Sequence, residues 1–287
     1  MKPDTPQMMT PPRLEVRDLG VTLSGKPIVT GVGFSVPAGT LTAIVGPNGS
    51  GKSTVMRAVT GELAHSGAVR INGATLSSLS PAALAALRGV LPQHTSLSFP
   101  LSVMEVVRLG LLPPFGPGND RDARVRAALQ RVDLAGFEGR AYHSLSGGEQ
   151  QRVQLARVLC QVWEPCSAGT ARWLFLDEPV SSLDIRHQIL IMRIAADFAA
   201  RGGGVVAVMH DLNLTAMFAG RLLVMKSGRL LADGAPEAVL RDDLISEAFD
   251  HPLRVGALPA RGTPFVLPQA AQAAQAAQGA TRETSLV

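Results

Sequence analysis

The sequence predicts an α/β fold: a parallel sheet with functional loops at its strand ends, antiparallel strands ahead of it and a helical insertion within it. Three observations carry the prediction. Short apolar runs at Leu41–Val45, residues 171–176 and residues 204–209 read as strands buried in a sheet. The first runs straight into a glycine-rich loop and then a stretch compatible with helix at residues 53–60. Residues 94–160 read as helical, with apolar spacing over 102–112 and 122–132.

The elements follow in order. Residues 1–12 are rich in proline and read as a flexible lead. Residues 13–40 predict short antiparallel strands, with turns at 24–26 and 37–39. Residues 89–92 predict a further strand. Within the helical insertion, residues 150–162 are amphipathic, and Ser146 stands where an N-cap belongs. Beyond residue 210 come a helix, a hairpin over 221–233 turning at Ser227 and Gly228, and a last helix over 241–249. One globular domain over residues 13–260 accounts for these elements. Residues 261–287 form a low-complexity tail, in which residues 269–278 repeat with a period of three; that period winds around a helix and builds no apolar face.

Composition excludes several classes. The chain has 287 residues, 46% of them hydrophobic, enough for a sizeable core. A net charge of +4 is too small to indicate a nucleic-acid binder. No apolar run reaches the length of a membrane span, and the first residues lack the apolar core of a secretory signal, so a cytoplasmic protein is expected. Cys160 and Cys166 fit neither a metal site nor a disulfide framework, and the histidines other than His210 show no ligand spacing and read as structural or exposed.

The chemistry concentrates in three segments. Gly46, Pro47, Asn48, Gly49, Ser50, Gly51, Lys52 and Ser53, followed by Thr54, fit the pattern of a phosphate-binding loop. The glycines let the backbone turn so that successive N–H groups face a phosphate, and the helix behind adds a partial positive charge. Lys52 supplies a point charge for the β- and γ-phosphates, and the Ser53 hydroxyl is suited to Mg²⁺. Only four of the basic residues are lysines, which makes one in this loop harder to dismiss as a surface charge. Asp177 and Glu178 end the run at 171–176. Asp177 is placed to hold Mg²⁺, while Glu178, next in the strand alternation, is expected on the other side, free to polarise an attacking water. Residues 145–151 (LSGGEQQ) open a helix and present a second N-terminus suited to an anion. The three together predict binding and hydrolysis of a nucleotide.

In this order, residues 46–54, Gln93, residues 145–151, residues 174–179, residues 181–184 and His210 resemble the motifs of the ABC-transporter ATPases: Walker A, Q-loop, signature, Walker B, D-loop and switch histidine. The resemblance covers residues 13–260. It implies a P-loop NTPase with a RecA-like parallel-sheet core, an antiparallel β subdomain and an inserted helical subdomain near residues 94–160. It also implies a homodimer that sandwiches two ATP molecules. Ser146, Gly147, Gly148 and Glu149 would then contact the ATP held by the partner subunit's Lys52. Gln93 would contact Mg²⁺ or the lytic water, Asp184 would stand in the D-loop, and His210 would bond the γ-phosphate and orient the water that Glu178 activates. The family usually stacks an aromatic side chain on adenine; Leu23 stands in the matching segment here.

Residues 92–103, 105–110, 173–188 and 208–213 further resemble the haem-importing branch of the iron-chelate and cobalamin importers. That likeness implies two membrane permease subunits, a haem-binding protein outside the membrane and a place at its cytoplasmic face. Leu97, Phe99 and Leu101 offer an apolar patch for a permease helix, or else pack into the insertion's own core. A ferric siderophore or cobalamin importer, an exporter ATPase, and a soluble ABC ATPase of DNA repair or translation are the alternatives. The last usually carries a coiled-coil insert or two cassettes, whereas each motif occurs once here and no heptad run separates Lys52 from Ser146.

Overall fold

A computed structural model of the protein describes residues 11–93, 97, 99–111 and 120–267. The chain opens with two long strands, β1 (Arg13–Leu23) and β2 (Lys26–Pro37), joined by a tight turn in which Ser24 and Gly25 take positive φ. At 11 and 12 residues they are not the short strands expected. Register shifts after Val16, Leu19 and Val21 let them bend while staying paired, so turn-like residues such as Asp18 and Gly20 sit inside a strand. Next come β3 (Leu41–Val45), α1 (Lys52–Val59), β4 (Ser66–Ile71) and β5 (Ala74–Thr75). The first sheet is antiparallel, in the order β2-β1-β4-β5.

The middle of the chain supplies α2 (Pro81–Leu87), β6 (Arg88–Leu91), α3 (Val103–Arg108), α4 (Arg121–Arg131) and α5 (Gly147–Gln161). Then follow a small hairpin, β7 (Cys166–Ser167) and β8 (Thr170–Ala171), and β9 (Trp173–Asp177), α6 (Ile185–Ala200), β10 (Gly204–Val208) and α7 (Leu212–Phe218). The chain closes with β11 (Arg221–Lys226), β12 (Arg229–Gly234), α8 (Pro236–Val239) and α9 (Asp242–Phe249). The run at 171–176 is therefore split at Arg172: Ala171 pairs with Cys166 in the small hairpin, while Trp173 enters the main sheet. α2 and α6 fall where the sequence reading assigns no element. The proline-rich lead up to residue 10, His94, Leu112 and the repeat at 269–278 lie outside the described residues.

The second sheet has the order β12-β11-β3-β10-β9-β6 and is parallel except for β12 at its edge. β3, β9 and β10 are buried along their whole length, which is why their sequences are continuously apolar rather than alternating. The alternation appears instead in what each face packs against. Leu174, Leu176, Val205 and Ala207 face a core shared with α3 to α6. Trp173, Phe175, Val206 and Val208 face a second core shared with α1 and the antiparallel sheet. The Trp173 indole donates to Asn72 Oδ1 at 3.0 Å, and Asn72 Nδ2 donates to the Ala171 carbonyl at 2.7 Å, tying the β4–β5 turn of the first sheet to the start of β9.

Helix α5 is the inner rod of the helical region. Any side chain at Gly110 would overlap the backbone of Arg157, and one at Gly89 would press on Val158, so α5 lies at backbone distance from both the end of α3 and β6. Leu97 and Leu101 pack partly buried against this core, while Phe99 is 74% exposed. The three therefore do not form one exposed patch.

Candidate active site

The parallel strands β3, β6, β9 and β10 end on one edge of the sheet, and each hands over there to a residue singled out in the sequence. Ligands gather at this carboxyl edge in open α/β sheets. Residues 46–51 follow β3, Gln93 follows β6, Glu178 follows β9 and His210 follows β10. Together they border a cleft of about 680 Å³, lined among others by Gly49, Lys52, Ser53, Gln93, Glu178 and His210.

The loop after β3 is held from below. Gly46 has φ 147°, and a side chain there would run into the carbonyl of Met225. The Gly228 amide, in the β11–β12 turn, donates to the Ser50 carbonyl at 3.0 Å. Gly51, at φ 98°, is the N-cap of α1, which carries neither a side-chain cap nor an acidic residue in its first turn. Its leading N–H groups and partial positive charge are left for an outside anion. Lys52 is buried, and its ammonium donates to the carbonyls of Gly46 and Pro47, both at 2.9 Å. Burial lowers its pKa, against the attraction of Glu178 and Asp177.

Asp177, the last residue of β9, is buried and accepts from the Ser53 hydroxyl at 3.0 Å. Burial raises its pKa despite that bond, because a carboxylate here has lost water without gaining a full counter-charge. Hydroxyl and carboxylate oxygens side by side are the donor set of a hard cation that keeps water and phosphate as its other ligands. No cluster of three or more His, Cys, Asp or Glu that could hold a metal ion forms among the described residues.

Glu178 departs from the expectation of strand alternation. It has left the strand and takes φ 51°, so its carboxylate turns into the cleft rather than to the far side of the sheet. Gln93 Nε2 donates to its Oε2 at 2.8 Å, and His210 Nε2 lies 2.6 Å from its Oε1. The residue is also fixed through its backbone. Its amide donates to Val208 in β10 at 3.2 Å, and its carbonyl accepts from Gln151 Nε2 in α5 at 3.1 Å.

The remaining residues lie apart from this cleft. Ser146 caps α5 with a full capping box: its hydroxyl accepts from the Glu149 amide at 3.3 Å, and Glu149 Oε2 accepts from the Ser146 amide at 2.8 Å. The Ser146 bonds hold the Glu149 carboxyl below its usual range. Ser146 is thus the N-cap that the sequence predicts. Two donors of this helix terminus are used within the chain, and Gly147 and Gly148 retain free first-turn N–H groups. Asp184 is the N-cap of α6, accepting from the His187 amide at 2.9 Å, and His187 Nδ1 lies 2.8 Å from the same oxygen. Sequence reasoning missed Gln151 as a support of Glu178. It also missed Ile28, the apolar residue of β2 that lines the cleft beside the loop; Leu23, the last residue of β1, does not line it. No sequence signal marks Ile28, which lies on β2 and reaches the loop only through the fold.

The family model described as ABC transporter matches residues 29–181. This chain belongs to the ABC transporter family. The hemin import ATP-binding protein HmuV of Mesorhizobium japonicum (strain LMG 29417 / CECT 9101 / MAFF 303099) is 60% identical to it over 261 residues, covering 90% of this chain and 99% of that one. That of Chelativorans sp. (strain BNC1) is 57% identical over 258 residues, with 90% and 99% covered. Among solved structures, cbiO1 from Clostridium perfringens, part of the ABC transporter complex cbiONQ, is similar with a TM-score of 0.67 at 27% identity, covering 82% of this chain and 92% of that one. As an ABC transporter ATPase the chain binds and hydrolyses ATP to power transport, and it works with membrane permease subunits. Among the described residues no helix is long and apolar enough to cross a membrane.

Proposed function

We propose that this ABC transporter ATPase powers haem import, as a homodimer docked on the cytoplasmic face of two permease subunits and served by a haem-binding protein outside the membrane. The observation that carries the cargo is the likeness to hemin import ATP-binding proteins, 60% identical along nearly the whole of the relative. No cleft residue argues for haem itself; the cleft is lined by groups suited to phosphate.

Lys52 and the N–H groups of residues 49–54 hold the β- and γ-phosphates. Ser53 and Asp177, with Gln93 nearby, hold Mg²⁺, which when bound neutralises phosphate charge. Glu178 takes a proton from the water that attacks the γ-phosphorus, while the bond to the bridging oxygen of ADP breaks. His210, within reach of the same carboxylate, orients that water and donates to the γ-phosphate. Gln93 restrains the other oxygen of Glu178. Gly147 supports the head-to-tail homodimer: a side chain there would meet only open space within its own chain, so the room above the first turn of α5 serves an incoming group. Asp184, exposed at the start of α6, is assigned to the same interface.

Growth of a strain lacking this chain, on haem, ferric siderophore or inorganic iron as sole iron source, tests the cargo. Loss on haem alone, restored by the wild type and not by Glu178→Gln, is the expected result. Normal growth on haem, in a strain with no second haem route, discards haem.

A further inference from the structure

The described molecule holds Glu178 in a conformation that its local sequence opposes. A non-glycine residue at φ 51° is disfavoured by its own Cβ, and a residue preceding proline, as Glu178 precedes Pro179, is biased toward extended backbone at negative φ. Something outside residues 177–179 must hold it. The amide bond to Val208 fixes one side. On the other side the Glu178 carbonyl accepts from Gln151 Nε2 at 3.1 Å, from the Ser181 hydroxyl at 3.3 Å and from the Ser181 amide at 3.4 Å. Ser181 belongs to the same turn and moves with it, whereas Gln151 is anchored in α5, 27 positions away in sequence. A carbonyl oxygen only accepts, so the nitrogen of the Gln151 amide must be the atom that faces it.

We propose that Gln151 is a positioning residue for ATP hydrolysis: it holds the Glu178 backbone at positive φ and so keeps the carboxylate turned into the cleft. This rests on the reading of Glu178 as the base. Gln151 stands five residues after Ser146 on the same helix, so the base is aligned from the element that begins with the signature residues. Gln151 does not border the nucleotide cleft, and its Oε1 is buried without a partner, beside a cavity of about 170 Å³ that it shares with Gln93, Gln154 and Ser182. Its hydrogen bond toward the cleft is the one to the Glu178 carbonyl.

The test compares Gln151→Met, Gln151→Glu and Glu178→Gln in the full chain, reading kcat, ATP affinity by fluorescent-nucleotide binding, and the pH profile. Ser181 still satisfies the Glu178 carbonyl, so the fold should survive in each variant. Misplacing a catalytic group by about an ångström costs up to about 10²-fold, and Q151M should lose kcat on that scale with ATP affinity unchanged. Q151E carries an acceptor where a donor is needed, and a donor returns only when its carboxyl is protonated. Its kcat relative to wild type should therefore climb as pH falls, which a purely structural role would not produce. Wild-type kcat in Q151M beside an inactive E178Q overturns the positioning role alone. Wild-type turnover in E178Q overturns the base assignment, and the positioning role with it.

Discussion

Replacing Glu178 by glutamine separates the charge and basicity of the carboxylate from its shape. In the native site Oε2 accepts from Gln93 at 2.8 Å, and Oε1 lies 2.6 Å from His210 Nε2. A carboxamide keeps one acceptor and turns the other oxygen into a donor. Both neighbours can adapt, because the Gln93 amide can present its oxygen and a neutral His210 can present an unprotonated nitrogen. Fold and ATP affinity should therefore be retained, and the loss should fall on the chemical step. General-base catalysis contributes about 10²–10⁴-fold, a barrier change of about 3–5 kcal/mol. Phosphate release at saturating ATP reads the loss; nucleotide binding and thermal melting serve as controls. Turnover at the wild-type level in a folded variant would refute the argument. A fall in ATP affinity equal to the fall in turnover would also refute it, by placing Glu178 in binding rather than catalysis.

Three further outcomes follow from the same geometry. Lys52→Ala should weaken ATP binding by about 10–10²-fold, the worth of one charge-assisted hydrogen bond, while the nucleotide-free melting temperature holds or rises because a buried charge is removed; isothermal titration and melting read the two. For Asp177, burial raises the folded-state pKa, so the folded chain keeps a proton that the unfolded chain has already released. Stability is then lost as pH rises from the ordinary carboxylate range through the raised value. Asp177→Asn should accordingly melt above wild type at neutral pH without nucleotide or metal, and the gap should close in acid. Burial pushes the Cys160 thiol up to about 12 while Cys166 is exposed, so maleimide at neutral pH should label Cys166 in the native protein and both cysteines after unfolding, as mass spectrometry would show.

The site was legible wherever chemistry demands a residue type at a fixed spacing. A loop that must turn three times and end in Lys52 and Ser53 leaves little room for other sequences. Strands buried on both faces, such as β3 and β10, must read as unbroken apolar runs. Ser146 was readable as a cap because Glu149 stands three residues later. The rest depends on contacts between distant segments. Arg172 looks like mid-strand until Ala171 is seen to pair with Cys166, and Trp173 with Gly204 and Arg88. Helix α6 carries isoleucine at 185, 189, 191 and 194, a branched composition suited equally to a strand; its Asp184 cap and its packing against β10 decide for helix. Glu178 was expected to follow the alternation of β9, and the reach of Gln151 across 27 positions carries no sequence signal.

The burial of α5 also bears on how the molecule breathes. Eight of its 15 residues are buried, and it meets its neighbours at backbone distance beside Gly89 and Gly110. Such a helix cannot fray without opening the surrounding layers, so its amide hydrogens should exchange with solvent only when the whole domain unfolds. The β7–β8 hairpin, exposed at Cys166 and Ser167, should exchange through local openings at far lower free energy. Slow exchange in the element that supports the Glu178 carbonyl makes one wall of the nucleotide cleft a fixed reference, against which the residues that approach ATP can move.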